Sequence, residues 1–138
     1  MEKYNLQNDV KIFGKQVKTF PNGISEAFDE LVKMLGGFNR SCYGLSYMNT
    51  DGKMVYYAAA EEKQKGEAEK YSCERLTIEK GEYLVITVND WRKKTGTLKD
   101  VFHKIIQDDR ADRTKPAIER YKNDEEMMCM VKTIIRPY

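Results

Sequence analysis

The sequence predicts an α+β fold: a duplicated β-α-β-β unit forming antiparallel sheet halves, with two helices packed on one side and a cleft between the units. Three observations predict it. Two segments, Ile24 to Leu35 and Leu98 to about Gln107, carry a helical apolar period. Short apolar runs of strand character surround each of them. The order strand, helix, strand, strand then occurs twice, with a first unit over about 9–60, a linker over about 61–71 and a second unit over about 72–136. The repeat lies in element order, not in residue identity.

Asp9 to Thr19 reads as the first strand. In the first helix Ile24, Ala27, Phe28, Leu31, Val32 and Leu35 form one stripe, with Glu26, Asp29, Glu30 and Lys33 opposite. Pro21-Asn22-Gly23 can supply its cap, and Gly36-Gly37 its stop. Tyr43–Met48 and Met54–Ala60 flank Asn49-Thr50-Asp51-Gly52, a hairpin signal. Glu61 to Lys70 is polar and reads as a mobile linker. Ser72–Ile78 and Glu82–Val88 around Glu79-Lys80-Gly81 read as a second hairpin. The second helix places Leu98, Val101, Phe102, Ile105 and Ile106 on its apolar face, and Thr97 with Asp100 resembles a capping box. Ala117–Tyr121 and Met127–Ile135 around 122–126 read as a third hairpin.

Composition narrows the function classes. The 138 residues argue for one domain. With 24 basic and 22 acidic residues the net charge is +2, and no basic stripe or recognition helix stands out, so no direct nucleic-acid partner is expected. Cys42, Cys73 and Cys129 have no zinc-type spacing and fit reduced thiols. The glycines form no phosphate-cradling pattern. No cofactor or metal is therefore expected. The N-terminus lacks a signal-peptide core, and no apolar stretch approaches the roughly 18 residues of a membrane helix. A soluble cytoplasmic protein without a membrane partner is the expectation.

The most informative segment is Pro116-Ala117-Ile118-Glu119-Arg120-Tyr121. Alternate strand residues share a face, so Glu119 and Tyr121 point together, and Ile118 and Arg120 point away. A glutamate beside a tyrosine can attract a cationic or amphipathic aromatic ligand through charge and cation–π contact. Glu119 could equally be exposed, or paired with a neighbouring Arg or Lys. Tyr43 and Tyr47 share a strand face, and Tyr56, Tyr57 and Tyr83 lie in strands; these aromatics suit either a core or a pocket. His103, the single histidine, falls on the polar face of its helix, which gives a Ser-His-Asp or Cys-His arrangement little support.

Tyr43-Gly44-Leu45-Ser46-Tyr47, Gly81-Glu82-Tyr83 and Pro116 to Tyr121, in this order around two helices, resemble the GyrI-like family of small-molecule-binding domains. The family includes effector-binding domains of multidrug-responsive bacterial transcription activators and the gyrase inhibitory protein. The resemblance spans roughly Asp9 to Ile135. It implies two pseudo-symmetric units with a cleft between them and a cleft glutamate matched by Glu119. Tyr121, Tyr43 and Tyr47 match aromatic positions of the family. Tyr56 and Trp91 join the candidate ligand-binding set by strand placement and aromatic character. Many members carry a tryptophan at the end of the second helix; here His103 to Thr114 has no aromatic after His103, and Trp91 could supply that part of the wall. The resemblance begins near Met1, which leaves no room for a DNA-binding domain.

The implied function is a stand-alone binder of a small organic ligand, a sensor or drug-sequestering module of the transcription-regulator effector type, more a binder than an enzyme. Two alternatives stay open: a hydrolase of reactive small molecules with Glu119 as its catalytic residue, and a protein inhibitor of DNA gyrase. The sequence names no protein partner.

Overall fold

The computed structural model describes residues 1–37 and 39–134. Eight strands, β1 (Glu2–Leu6), β2 (Val10–Gln16), β3 (Cys42–Met48), β4 (Met54–Glu61), β5 (Glu74–Ile78), β6 (Gly81–Asn89), β7 (Ala117–Tyr121) and β8 (Glu126–Lys132), form one antiparallel sheet. Its order is β1-β6-β8-β7-β3-β4-β2-β5. Helices α1 (Ile24–Met34) and α3 (Leu98–Ile106) pack on the sheet, α1 over β4 and α3 over β8 and β6. A single helical turn, α2, covers Glu67–Lys70. The class is α+β, as expected. The expected end of the last strand at Ile135 lies outside the described residues.

The duplication is visible in the strand order. The units contribute β2-β4-β3 and β6-β8-β7, joined along the β3–β7 seam, where Gly44 faces Glu119. The order reads identically from either edge when the units are exchanged. The remaining two strands are traded: β1, which precedes the first unit, pairs with β6, and β5, which precedes the second, pairs with β2.

That exchange overturns the second expected hairpin. β5 and β6 are adjacent in sequence but lie near opposite edges of the sheet, and β6 pairs with β1 and β8 instead. Only Glu79 and Lys80 separate them. At about 3.8 Å per residue step the sheet must curl until its edges approach. The Lys80 N–H donates to Asp9 Oδ1 at 2.7 Å, tying this crossover to the matching one before β2. The β1 strand was not expected from the sequence: only Tyr4 and Leu6 of its residues are half-buried, too short an alternation to stand out from a polar terminus.

The other two hairpins form as expected. Gly36 takes a left-handed φ of 78°, and the Gly37 N–H bonds the Val32 carbonyl at 2.9 Å, so the glycine pair does stop α1. Neither helix start carries a side-chain cap. The Thr97 hydroxyl donates to the Lys94 carbonyl at 2.7 Å, which removes it from the expected capping box.

The expected loose linker is fastened down. Glu67 in α2 is 6% exposed and accepts from Arg40 at 2.8 Å and from the backbone N–H groups of Lys63 and Gln64. Burial acts to raise its pKa, but the Gln64 N–H, Arg40 and the Lys63 N–H outweigh it and hold the carboxyl below its ordinary value.

Apolar packing forms on both faces of the sheet. Leu31, Leu84, Leu98, Ile105, Tyr121 and Cys129 belong to the helix side. Tyr43, Leu45, Tyr83, Val85, Ile118 and Met130 belong to the other.

Candidate functional site

Glu119 sits at the centre of the sheet, on the face covered by the helices. Alternation from the buried Tyr121 fixes this orientation, and the register places Cys129 of β8 and Gly44 of β3 on either side. The Tyr121 hydroxyl donates to Glu119 Oε1 at 2.8 Å. The Tyr56 hydroxyl, from β4, donates to the same oxygen at 2.6 Å. Tyr56 reaches over β3 to do so, and Gly44 is what lets it pass. A methyl group at Gly44 would overlap both the Tyr56 hydroxyl and Glu119 Oε1. No Lys or Arg ion pair reaches Glu119 among the described residues.

Burial raises the Glu119 pKa above its ordinary 4.5, while the two phenol bonds oppose that rise. Tyr56 and Tyr121 are pushed far above the tyrosine range by burial and by the neighbouring carboxylate, so both are neutral donors. The Cys129 thiol is pushed up to about 12 by burial and by Glu119. Cys42 rises to about 11 through burial, with Arg40 pulling the other way. Both are therefore protonated thiols and poor nucleophiles at neutral pH.

A sleeve of rings holds the two phenols. Phe20 stacks on Tyr56 at 5.1 Å, and Tyr121 takes the edges of Phe28 at 5.3 Å and Trp91 at 4.7 Å. Beside Tyr121 opens a cavity of about 140 Å³ between α1 and the two 3-10 turns at Trp91–Lys93 and Thr95–Thr97. Phe28, Val32, Cys42, Trp91 and Tyr121 give it apolar walls, and Asp29 and Arg92 stand at its polar rim. Trp91 is anchored by its indole N–H, which donates to the Asn123 carbonyl at 2.8 Å. A cavity of about 170 Å³ lies between β2 and α1, and two far larger clefts, of about 640 and 710 Å³, lie along residues 9–11 with 61–65 and along 46–54 with 112–117. None of them reaches Glu119 or its tyrosines.

Of the sequence-derived candidates the structure brings together Glu119, Tyr121, Tyr56 and Trp91. It does not bring in Tyr43 or Tyr47. Gly44 shares a face with Glu119, so its neighbour Tyr43, and with it Tyr47, must point to the opposite face of β3. There Tyr43 packs among Leu45, Ile118 and Met130. The two aromatics added on strand placement thus join the group, and the two taken from the Tyr-Gly segment do not. His103 stays on the exposed side of α3 beside Gln107. Phe20, Phe28 and Gly44 were missed. Phe28 was legible only as part of an amphipathic stripe, Phe20 lies in a loop without periodicity, and the role of Gly44 depends on the β3–β7 register.

No family model matches the chain, and no curated protein matches it either. Solved structures do share the fold. An integron cassette protein from the mobile metagenome of Vibrio cholerae superimposes with a TM-score of 0.71 at 12% identity, covering 96% of this chain and 95% of that one. SAV2435 bound to tetraphenylphosphonium gives 0.65 at 18% identity, over 96% and 94%. A Staphylococcus aureus MU50 protein described as a candidate transcription regulator gives 0.62 at 18% identity, over 95% and 97%. The chain thus shares the fold of these proteins almost end to end, which is consistent with the GyrI-like resemblance of its sequence.

Proposed function

We propose that the protein binds a lipophilic organic cation in the aromatic cavity beside Tyr121, with Glu119 supplying the negative charge. One observation carries the reading. A half-buried carboxylate is held at the sheet centre by two phenols on one oxygen, and among the described residues no cation pairs with it. Such a group is costly in a folded protein. A bound cation would offset that cost, and the surrounding rings would favour a delocalised charge over a hydrated ammonium. The fold shared with SAV2435, which was solved with tetraphenylphosphonium, supports the same ligand chemistry.

The cavity of about 140 Å³ is smaller than the ~300 Å³ at which drug-sized pockets begin. A ligand of that size enters by displacing the Trp91–Thr97 segment or α1. The segment is held by the indole bond to Asn123, the Trp91 N–H bond to the Glu125 carbonyl, the packing of Trp91 on Tyr121 and an exposed Arg92–Asp124 pair. The role that fits is a sensor or a sink for toxic amphiphiles.

Titration with tetraphenylphosphonium, beside a neutral aromatic of similar size, tests this. Trp91 is the single tryptophan, so its fluorescence reports directly from the cavity wall. Saturable quenching by the cation, weakened about tenfold or more in Glu119→Gln, is expected. Equal affinity in both proteins removes Glu119 as the anchor. The raised pKa of Glu119 also favours a second reading, a general base toward water. Turnover of an electrophilic ester, abolished in Glu119→Gln, would establish that instead.

A further inference from the structure

On the face of the sheet away from the helices, Arg120 carries a charge that no described residue answers. It follows Glu119 on β7 and so leaves the opposite face. It is half-buried, takes part in no ion pair among the described residues, and its Nε is buried without an acceptor. Its surroundings are apolar: Ile118, Met128 and Met130 belong to the cluster on this face. Arg120 lines a cavity of about 90 Å³ together with Tyr4 of β1, Tyr43 of β3, Glu61 at the end of β4, Leu6 and Met130. The Tyr43 side chain is 3% exposed, and among the described residues neither its hydroxyl nor that of Tyr4 makes a hydrogen bond. Burial pushes Tyr43 up to about 12 against the pull of Arg120, so its hydroxyl is a neutral donor.

We propose that this cavity is a second binding site, for a small carboxylate. A half-buried guanidinium whose Nε finds no acceptor is costly, Glu61 in the same cavity makes no ion pair with it, and a carboxylate matches its fork of donors. The two free phenol hydroxyls add donors to the same volume. The cavity is small, at about 90 Å³, which suits an acid of acetate or propionate size. Glu61 also lines the charged outer cleft, so it stands at the mouth. Its like charge limits affinity and selects against dianions. The site is independent of the cation reading, since it lies on the other face and shares no residue with the Glu119 group.

The test is a titration of the full chain with sodium acetate against sodium chloride at matched ionic strength, followed by backbone amide chemical shifts. Saturable shifts at Tyr43, Arg120 and Met130 are expected with acetate and not with chloride or methylammonium. Arg120→Gln should weaken them about tenfold or more, and Glu61→Gln should strengthen them. Tyr4→Phe, a single-oxygen change on an edge strand, should weaken them without disturbing the fold. Tetraphenylphosphonium quenching should be the same in Arg120→Gln as in the parent, which separates the two sites. No saturable shift with acetate, an equal response to chloride, or undiminished acetate binding in both Arg120→Gln and Tyr4→Phe overturns the proposal.

Discussion

Two glutamates, one buried and one half-buried, are drawn into the packing of this protein, and they are treated in opposite ways. Glu67 has a guanidinium on both of its oxygens and two backbone N–H groups on one, and its pKa falls. Glu119 has two neutral phenols on a single oxygen and no ion pair among the described residues, and its pKa rises. Burial alone thus does not distinguish structure from function. Glu67 has its charge answered within the fold, so its role is complete there. Glu119 is supplied with geometry but, among the described residues, not with charge, which is what the proposed cation would bring.

Removing the answered charge should have the largest effect. Arg40→Ala leaves Glu67 buried beside two N–H groups and no cation; a loss of about 3–5 kcal/mol in urea unfolding is expected. A loss within the range of an exposed pair would mean that α2 swings out to hydrate the carboxylate.

Next is the phenol pair. Tyr56→Phe removes one charge-assisted bond to Glu119, so stability near neutral pH should fall by about 1.5–3 kcal/mol, measured the same way. Gly44→Ala should break the same bond by overlap, from a residue that itself touches no solvent-exposed chemistry. If Gly44→Ala keeps cation affinity while Tyr56→Phe loses it, the Tyr56 hydroxyl meets the ligand directly.

The two glutamates should also differ in the sign of their pH dependence. Because the folded pKa of Glu119 is raised, the native state holds its proton longer than the unfolded chain does. The stability linked to it is complete below the unfolded value near 4.5 and is lost as pH rises through the folded value. Glu67, with its pKa lowered, contributes stability above the unfolded value that disappears as pH falls. Glu119→Gln should therefore melt like the parent in acid and higher than it at neutral pH, by differential scanning calorimetry. The smallest effect belongs to the exposed pairs: Lys122→Ala, which breaks the pair with Glu126, should cost under about 1 kcal/mol.

How far the sequence could be read follows from which interactions are local. Both long helices were legible because their stripes are written within one segment, and the two true hairpins because a short loop joins the partners. The supposed hairpin at Ser72–Val88 carried the same local signal and was wrong. Its strands pair with β2 and β1, partners sixty or more positions away that no turn signal names. The polar stretch at Glu61–Lys70 looked loose for a related reason: what fastens it is Arg40, distant in sequence. In the site, Glu119 and Tyr121 were legible together because strand alternation is local. Tyr43 and Tyr47 were not, because the face a strand turns toward its neighbour depends on register.

By itself the sequence determined the class of fold, the repeated order of its elements, the two packed helices and the Glu119–Tyr121 pair, since each rests on periodicity within a few residues. Only the tertiary structure decided that β1 and β5 are exchanged between the units, that Tyr56 reaches Glu119 across Gly44, and that Arg120 on the far face makes no ion pair among the described residues. Those facts depend on strand register and on the curl of the sheet, where one residue of slip would move every side chain to the other side.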